Sequence, residues 1–398
     1  MNCKYYCKMI NVRLVFASIA LLGAAGALSI GRGDGDQSQG EKDQSTLRQV
    51  TMLMRHGQRA PVDTYPTDPH INSTMDPYGW GQLTDKGRLV AYNEGLFLRD
   101  RYGEFLGDDY SPDKFWLQST SADRAKMTAM ILSAALWKPN EKQKFKSGVD
   151  WQPVVLHYWT RPEDKLLIIW NACPKLTVER VKVDHDPAVR EINMKNQDMY
   201  AYVAEYSGLP MKNPGDIANV YGTLVSEERM GMKFPEWVHK YYPRKMSPLM
   251  VFSLKQNVWN DKLRRLSGGP FVTKMVNKME DRSTGKLTPK SRKMYAYVAH
   301  DNTVVNMLST MGVWDEKEPG FNAMVLVELH EIKGQWYVQL FYRNAPDYET
   351  RPLTVPGCEH QCPLEKFKEL MAPMIIDNYE DECKVDDPNY EIPPAPPA

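Results

Sequence analysis

LRQVTMLMRHGQRAP, residues 47–61, joins a β-leaning run (Leu47 to Met54) to a segment in which Arg55, His56 and Arg59 fall close together. An apolar run that stops abruptly at guanidinium groups flanking an imidazole has the pattern of a buried strand whose carboxyl end opens on a ligand. Outward from it, LTDKGRLVAYNEGLFLRDRYG (83–103) has the spacing of a capped amphipathic helix. KFWLQST (114–120) reads as a second strand, followed by helical spacing in ADRAKMTAMILSAALW (122–137). A third strand, RKMYAYVA (292–299), runs into His300-Asp301 and then a helical NTVVNMLSTMG. Strand, turn and helix thus recur three times, which predicts an α/β fold: a doubly wound sheet with helices on both faces. MVLVELHEIKGQWYVQLFY (324–342) is two alternating runs around Lys333-Gly334, a hairpin at or near the sheet edge that makes the sheet mixed.

The rest of the chain fits around this core. Residues 47–140 and 290–383 form the expected α/β core. Residues 141–289, richer in Met, Lys and Glu with Pro and Gly breaks, read as a mainly helical inserted domain, and 384–398 as a Pro-rich tail. At the other end, Lys4, Lys8 and Arg13 precede the uncharged run LVFASIALLGAAGALSI, which closes on Ala25-Gly26-Ala27. This predicts a signal peptide over 1–27, followed by a disordered leader over 28–46. No later stretch is long and apolar enough to span a bilayer, so no membrane anchor is expected.

Fifty Lys plus Arg balance fifty Asp plus Glu, so no net field recruits nucleic acid or an anionic membrane. Cysteine usage agrees with export: beyond Cys3 and Cys7, the chain has Cys173, Cys358, Cys362 and Cys383, an even set that fits two disulfides in an oxidising compartment. Asn72-Ser73-Thr74 is a glycosylation acceptor sequence in a polar loop.

The three strand-to-helix junctions carry the chemistry. In an open α/β sheet, ligands bind beyond the carboxyl ends of the strands, where helix N-termini offer free N–H groups. Arg55, His56, Arg59, Arg124, His300 and Asp301 all belong to such junctions. If the strands are neighbours, three guanidinium groups and two imidazoles converge, and like charges gathered that way call for an anion. The planar donor fork of Arg suits a phosphoryl group. Each residue has a plainer reading on its own: a single Arg near a helix start is usually on the surface, and a lone His usually structural. His70, His157, His185, His239, His330 and His360 keep that structural reading. His56 differs because Gly57 admits close backbone approach and arginines flank it.

RHGQRAP (55–61), GWGQLTDKG (79–87), STSADR (119–124), AHDNT (299–303) and CEHQC (358–362) together resemble the histidine acid phosphatase family of the lysosomal and prostatic type. The resemblance runs from about residue 47 to about 383. It implies a phosphoglycerate-mutase-like fold and hydrolysis of phosphate monoesters through a phosphohistidine. It assigns His56 as nucleophile, Asp301 as proton donor, and Arg55, Arg59, Arg124 and His300 as phosphate ligands. It also implies the pairings Cys173–Cys383 and Cys358–Cys362. Ser121 and Ala125 depart from the family's third motif, where Asp and Thr are common, while Arg124 is retained. A third disulfide, frequent in the family, has no cysteines here.

No metal or organic cofactor is expected, because the arginine cluster supplies the charge a metal would. The partner is a small-molecule or peptide phosphomonoester; a homodimer is allowed but not demanded. The destination is the secretory pathway, either extracellular or lysosomal. Four other readings exist: a phytase on the same scaffold; an inactive secreted binding protein or venom antigen, against which the intact motifs argue; a phosphoglycerate-mutase-like transferase, against which the signal and disulfides argue; and a metal hydrolase using His300-Asp301, which would need further His and carboxylate ligands at regular spacing that the sequence does not offer.

Overall fold

The computed structural model describes residues 46–387 and 390–391. The expected signal peptide, the leader up to Ser45 and most of the Pro-rich tail lie outside the described residues. In chain order the elements are β1 (Leu47–Arg55), α1 (Asp85–Leu106), β2 (Phe115–Ser119), α2 (Asp123–Leu136), β3 (Leu156–His157), α3 (Pro174–Val183), α4 (Pro187–Lys195), α5 (Gln197–Ser207), α6 (Pro214–Arg229), α7 (Ser247–Gln256) and α8 (Asp261–Ser283). There follow β4 (Met294–Ala299), α9 (Asp301–Thr310), β5 (Met324–Ile332), β6 (Gln335–Arg343), β7 (Arg351–Leu353), β8 (Cys362–Pro363), α10 (Leu364–Met371) and α11 (Tyr379–Cys383).

The sheet runs β3-β2-β4-β1-β5-β6-β7, with β8 also pairing β6. Strands β3, β2, β4 and β1 are mutually parallel, and β5 and β6 add antiparallel to the β1 side. The sheet is therefore mixed, with the hairpin one strand in from its far edge. Lys333 and Gly334 both take positive φ, 51° and 78°, as a two-residue turn that follows the strand twist requires.

The central strands are apolar at almost every position because both faces are covered. Met52, Met54, Met294, Ala296, Val298, Met324 and Leu326 pack with α1 and α2 on one face. Leu53, Tyr295, Tyr297, Val325 and Val327 pack with α8, α9 and α10 on the other. Within the mainly helical 141–289 span, α5, α6 and α7 share a separate apolar cluster, which includes Tyr65 from the segment after β1. Helix α8 lies in the same span, yet its Phe271, Val272, Met275 and Met279 belong to the core over the sheet. Disulfides join Cys173 to Cys383 and Cys358 to Cys362.

One junction is more elaborate than strand, turn, helix. Between β1 and α1 the chain makes an excursion over residues 60–82 and returns, so that Arg59 bridges Leu83 and Thr84 N–H donates to the Gln58 carbonyl at 3.1 Å. Thr84 then caps α1, its hydroxyl accepting from Gly87 N–H at 3.1 Å. The start of α1 therefore lies directly on residues 57–58. The approach requires two glycines: a Cβ on Gly57 would come within 2.8 Å of the Gly87 carbonyl oxygen, and one on Gly87 within 2.0 Å of that of Gln58.

Candidate active site

Strands β2, β4 and β1 are neighbours and parallel, so their carboxyl ends Ser119, Ala299 and Arg55 lie side by side. His56 follows β1, Arg124 is the second residue of α2, and His300-Asp301 joins β4 to α9 with no intervening loop. The fold brings all six candidates together. A cavity of about 590 Å³ is lined by His56, Arg59, Arg124, His300 and Asp301, and by Arg161, Trp170 and Asn219. Arg55 lies buried against it, with Nη2 2.8 Å from Asp301 Oδ2.

The partners of His56 select its tautomer. Nδ1 lies 2.9 Å from the Gly57 carbonyl oxygen, which can only accept, so Nδ1 carries the proton. Nε2 lies 3.2 Å from Arg124 Nε, which can only donate, so Nε2 keeps its lone pair. The backbone is fixed as well: His56 N–H donates to Ala299 at 2.9 Å, and its carbonyl accepts from Asn322 N–H at 3.2 Å. The ring is thus held between two elements with a nucleophilic nitrogen aimed at a guanidinium-lined cavity.

Burial, and then the charges of Arg124, His300, Arg55 and Arg59, hold His56 well below the ordinary imidazole range. His300 is lowered to about 3, by burial first and then by Arg124, with the Asp301 carboxylate opposing. Burial and the neighbouring guanidiniums therefore favour the neutral form of both imidazoles. Burial lowers Arg59 to about 9 and Arg124 to about 10; Arg124 and Arg55 add to it at Arg59, while Asp301 pulls the other way at both. Both remain cations in acid. For Asp301, burial pushes upward, but Arg55 and then His300 outweigh it, and the carboxyl ends below its ordinary value.

Several residues that complete the site had no signal in the sequence. Arg55 Nη1 lies 3.4 Å from Glu318 Oε1 and donates to the Pro319 carbonyl, and its guanidinium lies 4.5 Å from the centre of the Phe321 ring. Arg59 Nη1 donates to Ser226 Oγ on α6 at 3.0 Å. His300 Nε2 and Thr120 Oγ1 are 3.1 Å apart. Arg161 lines the cavity wall and its charge reaches Arg124 and His300. Glu318 is 263 residues from Arg55, in a loop whose sequence resembles no motif. Of the two departures, Ala125 is fully buried in the core beneath α2 and Ser121 is half-buried.

Three of the six histidines read as structural have these partners: His157 stacks on Trp116 at 3.7 Å, His330 meets Glu328 at 3.1 Å, and His70 meets the Lys233 carbonyl at 2.9 Å. Among the described residues, no group of three or more His, Cys, Asp and Glu could hold a metal ion.

The profile of the histidine phosphatase superfamily (branch 2) matches residues 46–343. The chain belongs to this family. This histidine phosphatase is 32% identical over 344 residues to venom acid phosphatase Acph-1 of Apis mellifera, covering 85% of this chain and 88% of that relative. It is 32% identical to human lysosomal acid phosphatase, covering 85% and 81%, and 33% identical to human prostatic acid phosphatase, covering 85% and 88%. Its fold matches that of Hafnia alvei phytase in complex with myo-inositol hexakis sulphate, with a TM-score of 0.63 at 16% identity over 85% of this chain and 98% of that one. Among the described residues, no helix of the histidine phosphatase is long and apolar enough to cross a membrane.

Proposed function

We propose that this chain is an acid phosphatase that hydrolyses phosphate monoesters through a phosphohistidine formed at Nε2 of His56. The observation that carries the reading is the tautomer: Nδ1–H is held by the Gly57 carbonyl while Nε2 keeps its lone pair among Arg55, Arg59 and Arg124. The three guanidiniums bind and neutralise the equatorial oxygens of the phosphoryl group, and neutral His300 donates a further N–H.

Attack by Nε2 forms the N–P bond as the P–O bond to the alcohol breaks, and the departing oxygen takes a proton from Asp301. Water then attacks phosphorus with Asp301 as base, releasing phosphate and the free imidazole. The free site holds Asp301 ionised through Arg55, so the proton must arrive with the substrate. A phosphate monoester has its second pKa near ~6 and carries that proton in acid. Its negative charge also offsets the arginines that keep Asp301 ionised. An acidic optimum follows from this, since burial and the arginines favour the neutral, nucleophilic form of His56.

In this reading, residues 47–140 and 290–383 carry catalysis. Residues 141–289 shape access, with Trp170, Thr177 and Asn219 lining the cavity. The substrate is a small-molecule or peptide phosphomonoester. The apolar leader, the two disulfides and the exposed acceptor Asn72 support a glycosylated protein of the secretory pathway, secreted or lysosomal. The test is His56→Ala, which is expected to fold and to lose turnover by more than ~10³-fold. Wild type mixed with a phosphorus-32 ester should yield an acid-labile, base-stable label absent from the variant. Label on serine or aspartate would overturn the mechanism.

A further inference from the structure

At about 590 Å³ the catalytic cavity has the size that takes a whole small molecule, so most of it is left to the alcohol that departs from the phosphoryl group. The lining of that remainder is uneven. Of all the lining residues, only Arg59, Arg124, Arg161 and Asp301 are of charged type, and the proposed mechanism places every one of them except Arg161 at the reacting centre. Val62, Ile168 and Trp170, each at least partly exposed, offer apolar surface, while Asn171, Thr177 and Asn219 offer neutral polar groups. Arg161 is thus the single charged residue on the part of the wall that faces the leaving alcohol.

The backbone holds Arg161 in place. The Thr160 carbonyl accepts from Glu163 N–H at 3.0 Å and from Asp164 N–H at 2.9 Å, which closes a turn around Arg161. Buried Asp164 fixes the next residues, its Oδ1 accepting from Leu166 N–H at 3.1 Å and Leu167 N–H at 2.8 Å. The Leu167 carbonyl in turn accepts from the Thr303 hydroxyl at 2.9 Å, which ties the segment to α9 two residues beyond Asp301. The charge of Arg161 is felt at Arg124 and His300. The leading charges at His56 and Asp301 are instead those of Arg55, Arg59, His300 and, at His56, Arg124. Arg161 therefore stands on the Arg124–His300 side of the cavity, beyond the attacking nitrogen and the acid.

Arg55, Arg59 and Arg124 already face the phosphoryl oxygens, and Asp301 takes part of the charge of Arg55. A fourth guanidinium on the same cavity is surplus to the phosphoryl group. It repels Arg124, and an anion bound beside it offsets that repulsion. Its planar donor fork suits a carboxylate. The neutral and apolar groups around it suit a compact body with one such anion. A leaving alcohol carrying many phosphates would bring several anions to a wall that offers one cation.

We propose that Arg161 is a specificity-determining residue that binds an anionic group, such as a carboxylate, on the leaving alcohol of a phosphomonoester whose body packs on Val62, Ile168 and Trp170. This rests on the reading of the cavity as a phosphatase site and names the substrate class it favours.

The phosphate esters of 4-hydroxyphenylacetate, 3-(4-hydroxyphenyl)propionate and 4-(4-hydroxyphenyl)butyrate, each compared with its own primary amide, isolate that charge on closely matched phenolic leaving groups. At pH 6 a carboxylate with a pKa near ~4.3 is ionised. The best of the three acids should then exceed its amide by about fivefold or more in kcat/KM, chiefly through KM. Arg161→Gln should bring the ratio of acid to amide close to unity, and Arg161→Lys should retain part of it, because the charge stays while the fork is lost. Calorimetry on His56→Ala, which cannot form a phosphohistidine, should show the same preference as a ratio of Kd values. A ratio near unity for all three pairs in the protein with Arg161 intact, or a ratio that Arg161→Gln leaves unchanged, would overturn the proposal. So would an equal loss of acid and amide in Arg161→Gln, which would make Arg161 part of the phosphoryl-binding cluster. Turnover of the amides by wild type reports on the phosphatase reading, whereas binding to His56→Ala reports on Arg161 without turnover, so the two failures are told apart.

Discussion

Glu227, in the last turns of α6, has no exposed surface, and neither carboxyl oxygen has a hydrogen-bond partner among the described residues. Its neighbour is Asp68, also buried, whose two oxygens are taken by His70 N–H at 2.7 Å and by the Thr64 hydroxyl. Burial first, and then the nearby Asp68 carboxyl, push Glu227 up to about 8 from an unfolded value of 4.5. The sign follows directly. The folded state prefers the protonated acid, so the pair costs nothing below about pH 4.5, and a penalty accumulates as pH rises towards 8. At ~1.4 kcal/mol for each tenfold displacement, the cost is roughly 3 kcal/mol at pH 7 and at most about 5 kcal/mol above pH 8.

Glu227→Gln removes the ionisation and keeps a donor towards Asp68. Urea unfolding of wild type and variant at intervals from pH 4.5 to 8 should show near-equal stability at the acid end and a growing advantage for the variant, roughly 3 kcal/mol by pH 7. The comparison cancels other titrating groups. The consequence reaches catalysis, because Ser226, the residue before Glu227, accepts from Arg59. Wild-type KM should therefore rise towards pH 8 more steeply than that of the variant. Parallel stability curves would refute the buried-acid argument.

Three further outcomes are expected. Prolonged treatment with a chelator should leave the rate at pH 5 unchanged, and activity restored by zinc or magnesium after chelation would contradict the arginine-based mechanism. Gly87→Ala should cost ~1–3 kcal/mol in a thermal melt and lower kcat/KM, because its Cβ would fall 2.0 Å from the Gln58 carbonyl oxygen and displace the segment carrying His56; a variant with wild-type kinetics would show the contact to be yielding. Asp301→Asn should slow phosphorylation by alkyl phosphates ~10²-fold or more, and far less by p-nitrophenyl phosphate, in pre-steady-state measurements, whereas Arg124→Ala should slow both alike; an equal effect of Asp301→Asn on both would move the acid role elsewhere.

The central strands were legible in the sequence because burial on both faces leaves a continuous apolar run, and each run ends where charge appears. Lys333-Gly334 was legible because a two-residue hairpin turn needs positive φ at both positions. The excursion over residues 60–82 was not: its polar, Pro-containing sequence has no period, and its anchors are the glycine contact with α1 and the packing of Tyr65 among distant helices. The assignment of α8 to the sheet core was equally hidden, since apolar spacing reveals a buried face without saying what covers it. Strands β3, β7 and β8 are too short to carry a period at all.

The same division runs through the site. Arg55, His56, Arg59, Arg124, His300 and Asp301 could be found because burying several cations at strand ends makes little sense without an anion. That a positive cluster disfavours the imidazolium of His56 was also legible, but its tautomer and the ionisation of Asp301 were not, because these depend on contacts that only the fold makes. Arg55 shows this most clearly. Sequence makes it a phosphate ligand, yet in the folded chain it also pairs with Asp301, meets Glu318 and lies over Phe321. Its charge keeps the candidate acid ionised until a substrate arrives. The residue proposed to bind the phosphoryl group would therefore also govern when its neighbour can hold a proton, so Arg55→Lys, which keeps the charge but loses the fork, should alter the acid limb of the kcat/KM profile as well as its height. A profile lowered uniformly at every pH would mean that Arg55 only binds.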